Sequence, residues 1–358
     1  MADSDYKPSQ IMNFTKIITA IDTHTEGNPE RVVTGGIPSI PGKTMLEKSK
    51  YARDNLDYLR TMLVHEPRGH SNMYAALLVP PTVDKADIGV LYLEPGGYVT
   101  MCGHGTIAIC TVLIETGIIE AREPEAEIVL DTPAGLVRAR VAVKDGKAES
   151  VTIRNVPSFL YQADVELDVA DVGRVKLDIA YGGNFYAILE ADSVGLDVKT
   201  ENANEIILMG TKIWQTVNEQ VEIHHPQEPQ IDCINYVEFC APASHPKATL
   251  KNAVVVPPAG MDRSPCGTGT CAKMATLYTK GQLHLNEEFV YESIIGTLFF
   301  GRLIEETKIG EYPAVVPTIR GSAYITGIHQ FVVDARDPFP GGFQLGKMEK
   351  LYGFGFRA

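Results

Sequence analysis

Met101-Cys102-Gly103-His104-Gly105-Thr106-Ile107-Ala108 is nearly repeated further along the chain as Pro265-Cys266-Gly267-Thr268-Gly269-Thr270-Cys271-Ala272. Both copies keep the order Cys-Gly-x-Gly-Thr-x-Ala. The echo stays in register beyond the motif, because each copy runs through a helix-like segment to a glycine, Gly117 or Gly281, 15 residues after its cysteine (117 − 102 and 281 − 266). Matched motif and matched spacing point to a chain built from two related halves.

Each copy reads as the start of a helix. Its glycines let backbone approach a ligand, and the glycine at the far end suits the left-handed position that follows a helix. A cysteine at such a start feels the positive end of the helix dipole and several unpaired backbone N–H groups, which favour a thiolate and form an anion site beside it. Two buried cysteines opening two ordinary helices is the plainer alternative. The matched spacing of the two copies argues against it.

Two such thiols suit the inversion of a carbon acid. One thiolate removes the proton from one face of an α-carbon while a thiol delivers a proton to the other face, and the roles exchange when the opposite enantiomer enters. The two helix starts would bind the substrate carboxylate and stabilise the charge that builds up on deprotonation. This chemistry requires no cofactor and no metal.

At these residues the chain resembles the proline racemase family, which includes hydroxyproline 2-epimerases and trans-3-hydroxyproline dehydratases. The resemblance runs from Ile21-Asp22-Thr23-His24-Thr25-Glu26-Gly27 through Glu66-Pro67-Arg68-Gly69-His70 to Gly321-Ser322-Ala323-Tyr324-Ile325-Thr326-Gly327. It implies that Cys102 and Cys266 are the acid/base thiols, that Gly103, His104, Gly267 and Thr268 hold the carboxylate, and that His104 and Asp262 flank the ring nitrogen. It also implies the fold: two similar α/β halves of the diaminopimelate-epimerase-like kind, each a curved mixed sheet around a central helix, with the active site in the cleft between them. The halves are expected at residues 1–157 plus 335–358 and at residues 158–334.

Composition agrees with a small-molecule enzyme. The chain has 358 residues, 44% of them hydrophobic, enough for a sizeable core in two units. A net charge of −13 with no massed Lys or Arg argues against nucleic acid as a partner. The six cysteines form no Cys-x-x-Cys pair and are too few for a disulfide framework, so Cys110, Cys233, Cys240 and Cys271 read as packing residues. No apolar run approaches the ~18 residues of a membrane span. A cytoplasmic homodimer acting on a small amino acid is expected.

Along the chain, residues 1–15 read as a loose lead-in and residues 88–93 as a buried strand feeding the first motif. Residues 127–131, 136–143 and 148–154 form a meander, with Asp145-Gly146 as its hairpin signal. Strands at 175–180 and 186–190 open the second unit. A helix over 201–221 carries Ile206, Met209, Ile213, Trp214 and Val217 at helical spacing. His224-His225 reads as a solvated loop pair. Strands at 289–291, 296–302, 314–319 and 324–333 follow, with a turn at Gly310-Glu311. Asn72-Met73-Tyr74 is echoed by Asn184-Phe185-Tyr186, a second sign of duplication.

Compared with proline racemases, which place phenylalanines around the pyrrolidine ring, the matching positions here are Tyr74, Tyr92 and Val256. Two added hydroxyls and one smaller side chain suit a hydroxylated ring. Two other functions compete with inversion. A trans-3-hydroxy-L-proline dehydratase is the first, although that branch characteristically carries Thr or Ser in place of one cysteine. A non-catalytic amino-acid-binding protein on the same scaffold is the second.

Overall fold

Both motif helices are built largely of small and apolar residues with no broad charged face, which places each in the middle of a core rather than on a surface. The computed structural model describes residues 14–229, 231–257 and 260–345. Most of the expected lead-in (1–13) and the end of the tail (346–358) lie outside these ranges.

The first half runs β1 (Phe14–Thr25), β2 (Asn28–Gly35), α1 (Met45–Leu56), α2 (Tyr58–Val64), β3 (Tyr74–Val79), β4 (Ile88–Glu94), β5 (Gly97–Val99), α3 (Gly103–Glu115), β6 (Glu125–Thr132), β7 (Gly135–Lys144) and β8 (Lys147–Arg154). The second runs β9 (Phe159–Val169), β10 (Gly173–Tyr181), β11 (Phe185–Glu190), α4 (Ala203–Gln220), β12 (Tyr236–Pro242), β13 (Leu250–Val256), β14 (Gly260–Met261), α5 (Gly267–Thr279), β15 (Glu288–Glu292), β16 (Leu298–Ile309) and β17 (Tyr312–Gly321). The last strand, β18 (Ala323–Asp334), crosses back to pair along β1. The return to the first half thus begins at Ala323, earlier than the expected residue 335.

The halves repeat one topology. β2 and β3 are parallel, as are β11 and β12; β4 and β6 are parallel across α3, as are β13 and β15 across α5. The antiparallel runs β6-β7-β8 and β15-β16-β17 complete each half, and the two sheets join where β8 pairs with β17. The result is one large, curved, unclosed mixed sheet. α3 packs against β1, β2 and β8, and α5 against β9, β10 and β17. Gly103 through Ile114 and Gly267 through Thr276 are buried. Gly117 and Gly281 both take the expected left-handed conformation, with φ of 73° and 69°.

This topology corrects the second sequence echo. β11 occupies the place of β2, and the cross-strand pair Tyr186–Tyr236 occupies that of Glu30–Tyr74. Asn184 is therefore the counterpart of Asn28, Tyr186 of Glu30, and Tyr74 of Tyr236. An Asn-x-Tyr start followed by a short apolar run is common to many buried strands, so the sequence echo paired the wrong two.

α4 matches its expected span to within two residues at each end, and Ile206, Ile213, Trp214 and Val217 are buried. His225 departs from expectation. It is buried against the rings of Tyr181 and Phe159, with Nδ1 accepting from the backbone N–H of Gln227 and Glu228, while His224 is exposed. Among the described residues no helix is long and apolar enough to cross a membrane.

Candidate active site

α3 and α5 meet start to start. A Cβ on Gly103 would stand 2.8 Å from the Gly267 Cα, and a Cβ on Gly267 the same distance from the Gly103 Cα. Only hydrogen at both positions lets the two backbones come so close. Cys102 and Cys266 are the N-cap residues of these helices. At each, the threonine four residues on donates its hydroxyl to the cysteine carbonyl, Thr106 at 2.8 Å and Thr270 at 2.7 Å. Backbone N–H groups of Gly105 and Gly269 reach the Cys102 and Cys266 sulfurs respectively. Those helix starts leave further N–H groups unpaired and pointing out of the first turn. Cys102, Gly103, His104, Cys266, Gly267, Thr268 and Asp262 all line one cavity between the halves.

The surroundings of the thiols differ. Cys102 Sγ lies 3.3 Å from His104 Nδ1, and His104 Nε2 lies 3.2 Å from Glu30 Oε2. That second approach has ion-pair distance but not hydrogen-bond geometry, so both buried Glu30 oxygens lack a hydrogen-bond partner. Asn28 on β2 contacts His104 Nε2 at 3.1 Å, and its Oδ1 accepts from the Arg263 N–H, tying the first motif to the second. Burial disfavours the His104 cation, but Cys102 and Glu30 outweigh it and hold this imidazole well above the usual histidine range. Burial likewise pushes the Cys102 thiol up, and the His104 charge opposes that push. Glu30, Cys102 and His104 are also the one described group whose donor atoms, within 4.8 Å of one another, have the spacing of metal ligands.

Among the described residues, the groups that act most on Cys266 include no cation. Its sulfur contacts the Tyr186 hydroxyl at 3.3 Å, and burial together with the nearby Asp262 carboxylate pushes this thiol well above its ordinary range. Asp262 is fixed by the backbone N–H and hydroxyl of Ser264, both at 2.8 Å to Oδ1. Asn184 donates to Thr268 Oγ1 at 3.3 Å. The Cys266 backbone sits at φ 61°, in the left-handed region where a non-glycine residue costs on the order of 1–3 kcal/mol. Residues held in such conformations cluster at functional sites.

Of the three expected wall residues, Tyr74 and Val256 line the cavity and Tyr92 does not. Tyr92 is buried beneath α3, with its hydroxyl 2.6 Å from Thr106 Oγ1. The expected pairing of that hydroxyl with a substrate is therefore corrected. Tyr92→Phe should lower stability by about 0.5–1.5 kcal/mol, measured by urea unfolding, and leave the ratio of kcat/KM values for two substrates within about twofold. A larger change in the ratio would put Tyr92 back in contact with substrate.

Sequence reasoning missed Glu94 and Tyr236, which also line the cavity, Tyr236 donating to Glu94 Oε2 at 3.1 Å. Glu94 was the available signal, an acidic residue ending an apolar strand on the same face as Tyr92. It occupies the place in β4 that Val256 occupies in β13. Glu30 and Tyr186, on strands distant in sequence from both motifs, were missed as well.

Residues 20–344 match the family model for proline racemase. A proline racemase of Clostridioides difficile is 49% identical over 334 residues, 93% of this chain and 100% of that protein. A 4-hydroxyproline 2-epimerase of Streptosporangium roseum is 51% identical over the same shares of both chains. Among solved structures, a hydroxyproline epimerase from Agrobacterium vitis with bound trans-4-hydroxy-L-proline is 35% identical, with a TM-score of 0.87 covering 93% of this chain and 97% of that one.

Proposed function

The chain belongs to the proline racemase family, and from that premise we propose that its cleft inverts the α-carbon of proline or a hydroxyproline by passing protons at the Cys102 and Cys266 thiols. The chain is an isomerase acting on a small molecule. The observation that carries the two-thiol reading is the start-to-start meeting of α3 and α5, which brings two thiol-capped helix N-termini to one cavity.

In this reading the substrate carboxylate is held by N–H groups of Gly103, His104, Gly267 and Thr268, where two helix dipoles favour negative charge. The ring nitrogen, cationic at neutral pH, is met by Asp262. One thiolate takes the α-proton, the developing negative charge spreads toward the carboxylate against the same N–H groups, and the opposite thiol delivers its proton. Burial raises both thiols, but His104 opposes that push at Cys102 while Asp262 adds to it at Cys266, which makes Cys102 the readier base of the pair. The resting enzyme is thereby poised for one enantiomer first. Turnover leaves the reverse protonation pattern, ready for the other.

Glu94, Tyr236 and Tyr74 give the wall a polar side, which supports a hydroxylated ring as the preferred substrate. Glu94→Gln is expected to lower kcat/KM for trans-4-hydroxy-L-proline relative to L-proline by roughly tenfold, the cost of weakening one hydrogen bond to a charged group. Parallel kinetics on both substrates would show it, and an unchanged ratio would place the hydroxyl elsewhere. Elimination of water from trans-3-hydroxy-L-proline needs a single strong base, and the second thiol at Cys266 counts against that reading.

Pyrrole-2-carboxylate is planar at the α-carbon and keeps the carboxylate, so it should bind more tightly than proline and protect both thiols from iodoacetamide. Equal alkylation of Cys102 and Cys266 with and without it, read by peptide mass spectrometry, would separate the two thiols from the substrate site. A cytoplasmic setting, in which thiols such as Cys102 and Cys266 stay reduced, is part of this reading. The exposed Tyr324 and Ile328 on β18 support a homodimer, which light scattering would test.

A further inference from the structure

A second buried carboxylate lies under the Cys266 helix and has no role in the chemistry above. Glu238 on β12 is fully buried, accepts from the Tyr291 hydroxyl at 2.6 Å through Oε1, and has no hydrogen-bond partner at Oε2. Oε2 points at the first turn of α5. A Cβ at Gly269 would stand 2.6 Å from Glu238 Oε2 and 3.2 Å from Cys266 Sγ, so oxygen and sulfur are no more than 5.8 Å apart. The other half repeats the arrangement with a different strand. A Cβ at Gly105 would stand 3.1 Å from Glu30 Oε2 and 3.2 Å from Cys102 Sγ. There, His104 stands beside both the carboxylate and the thiol; on the Cys266 side no imidazole intervenes.

We propose that Glu238 is a positioning residue that acts through Cys266: its buried carboxylate lies behind the second thiol and holds it protonated, so that Cys266 is the resting acid of the pair. This deepens the two-thiol reading and rests on it. The other groups facing Glu238 are Tyr291 on β15, Cys240 on β12 itself, Asn252 on β13, and Lys273 on α5, which reaches Glu190 at 3.3 Å; Glu190 also acts on Glu238 through its charge. Facing Cys266 besides Glu238 are Asp262 and Tyr186. Burial pushes Glu238 up only to about 7, so it is ionised over the range in which a buried thiol titrates. Two charges at this separation, at an effective dielectric constant of about 20, shift the thiol by about two pH units.

The test reads each thiol separately by iodoacetamide alkylation and peptide mass spectrometry, which requires no turnover. In Glu238→Gln the thiolate fraction of Cys266 rises with the lowered pKa while its nucleophilicity falls. The net expectation at pH 8 is a roughly tenfold faster alkylation of Cys266 with the Cys102 rate changed less than twofold. Glu238→Asp, which keeps the charge, should stay near wild type. A rate raised by one common factor at every pH would signal mere opening of the site and overturn the proposal. So would equal acceleration of both thiols, or an unchanged Cys266 rate. If Glu238→Gln does not fold, the wild-type protein decides: its Cys266 profile should flatten near pH 7, as Glu238 ionises, with no such inflection for Cys102. A Cys266 profile without that inflection overturns the proposal. Because alkylation is independent of inversion, failure here leaves the racemase reading standing, and failure of that reading leaves this measurement valid.

Discussion

Cys102→Ser and Cys266→Ser are each expected to lower the rate of inversion by at least about a hundredfold while leaving far-UV circular dichroism unchanged. A serine hydroxyl at neutral pH is too weak a base to accept the α-proton, and losing a positioned acid or base removes on the order of 10²–10⁴ in rate. Cys102 is the more exposed of the two and Cys266 the more buried, yet a mechanism in which each proton needs its own thiol makes the losses similar. Combining the two substitutions should add little to either alone, because the groups act as one unit. A single mutant within tenfold of wild type would contradict the two-thiol reading. Loss of the circular dichroism signal would point instead to the thiols as packing residues.

Gly103→Ala is expected to produce a loss of similar size by a different route. Its new methyl group would meet the Gly267 Cα at 2.8 Å, a backbone atom that cannot move aside without moving α5. The two helix starts must then separate, and the N–H groups and thiols that they carry lose their shared geometry. Displacements near 1 Å at a reacting centre cost about a hundredfold. Overpacking also costs about 1–3 kcal/mol of stability, which denaturant unfolding would read. Activity of Gly103→Ala above a tenth of wild type would mean that the close approach of α3 and α5 is not needed for catalysis.

The parts of the site legible in the sequence are those whose chemistry is local. A thiol at a helix start needs its glycines and its threonine within four residues, so the repeated motif exposed Cys102, Cys266 and both helices at once. Glu30 and Asn28 reach His104 beside Cys102, and Tyr186 reaches Cys266, from strands on which buried and cavity-facing side chains alternate. Period-two alternation does not say which buried residue meets a helix packed across it. Tyr92 shows a related limit. Tyr92 lies on the same face of β4 as Glu94, yet Glu94, two residues on, is the side chain that reaches the cavity, while Tyr92 stops against Thr106. Face follows from alternation; depth follows from where the helix crosses the strand. The polar neighbours of His225 in the chain predict a solvated ring, whereas Tyr181 and Phe159 cover it from distant strands. The exchange of β18 between halves depends on pairing with β1 across nearly the whole chain, a contact that no local pattern encodes.

The most direct test of proton passage between two thiols is the position of label at early times. The protein would be incubated in D2O with unlabelled L-proline or trans-4-hydroxy-L-proline, and each enantiomer or epimer separated after a few per cent conversion and analysed by mass spectrometry for α-deuterium. Two monoprotic bases on opposite faces predict that the inverted product carries deuterium while the remaining substrate stays unlabelled. Deuterium appearing equally in recovered substrate and product would mean that one group serves both faces, and would contradict the assignment of Cys102 and Cys266 to separate protons.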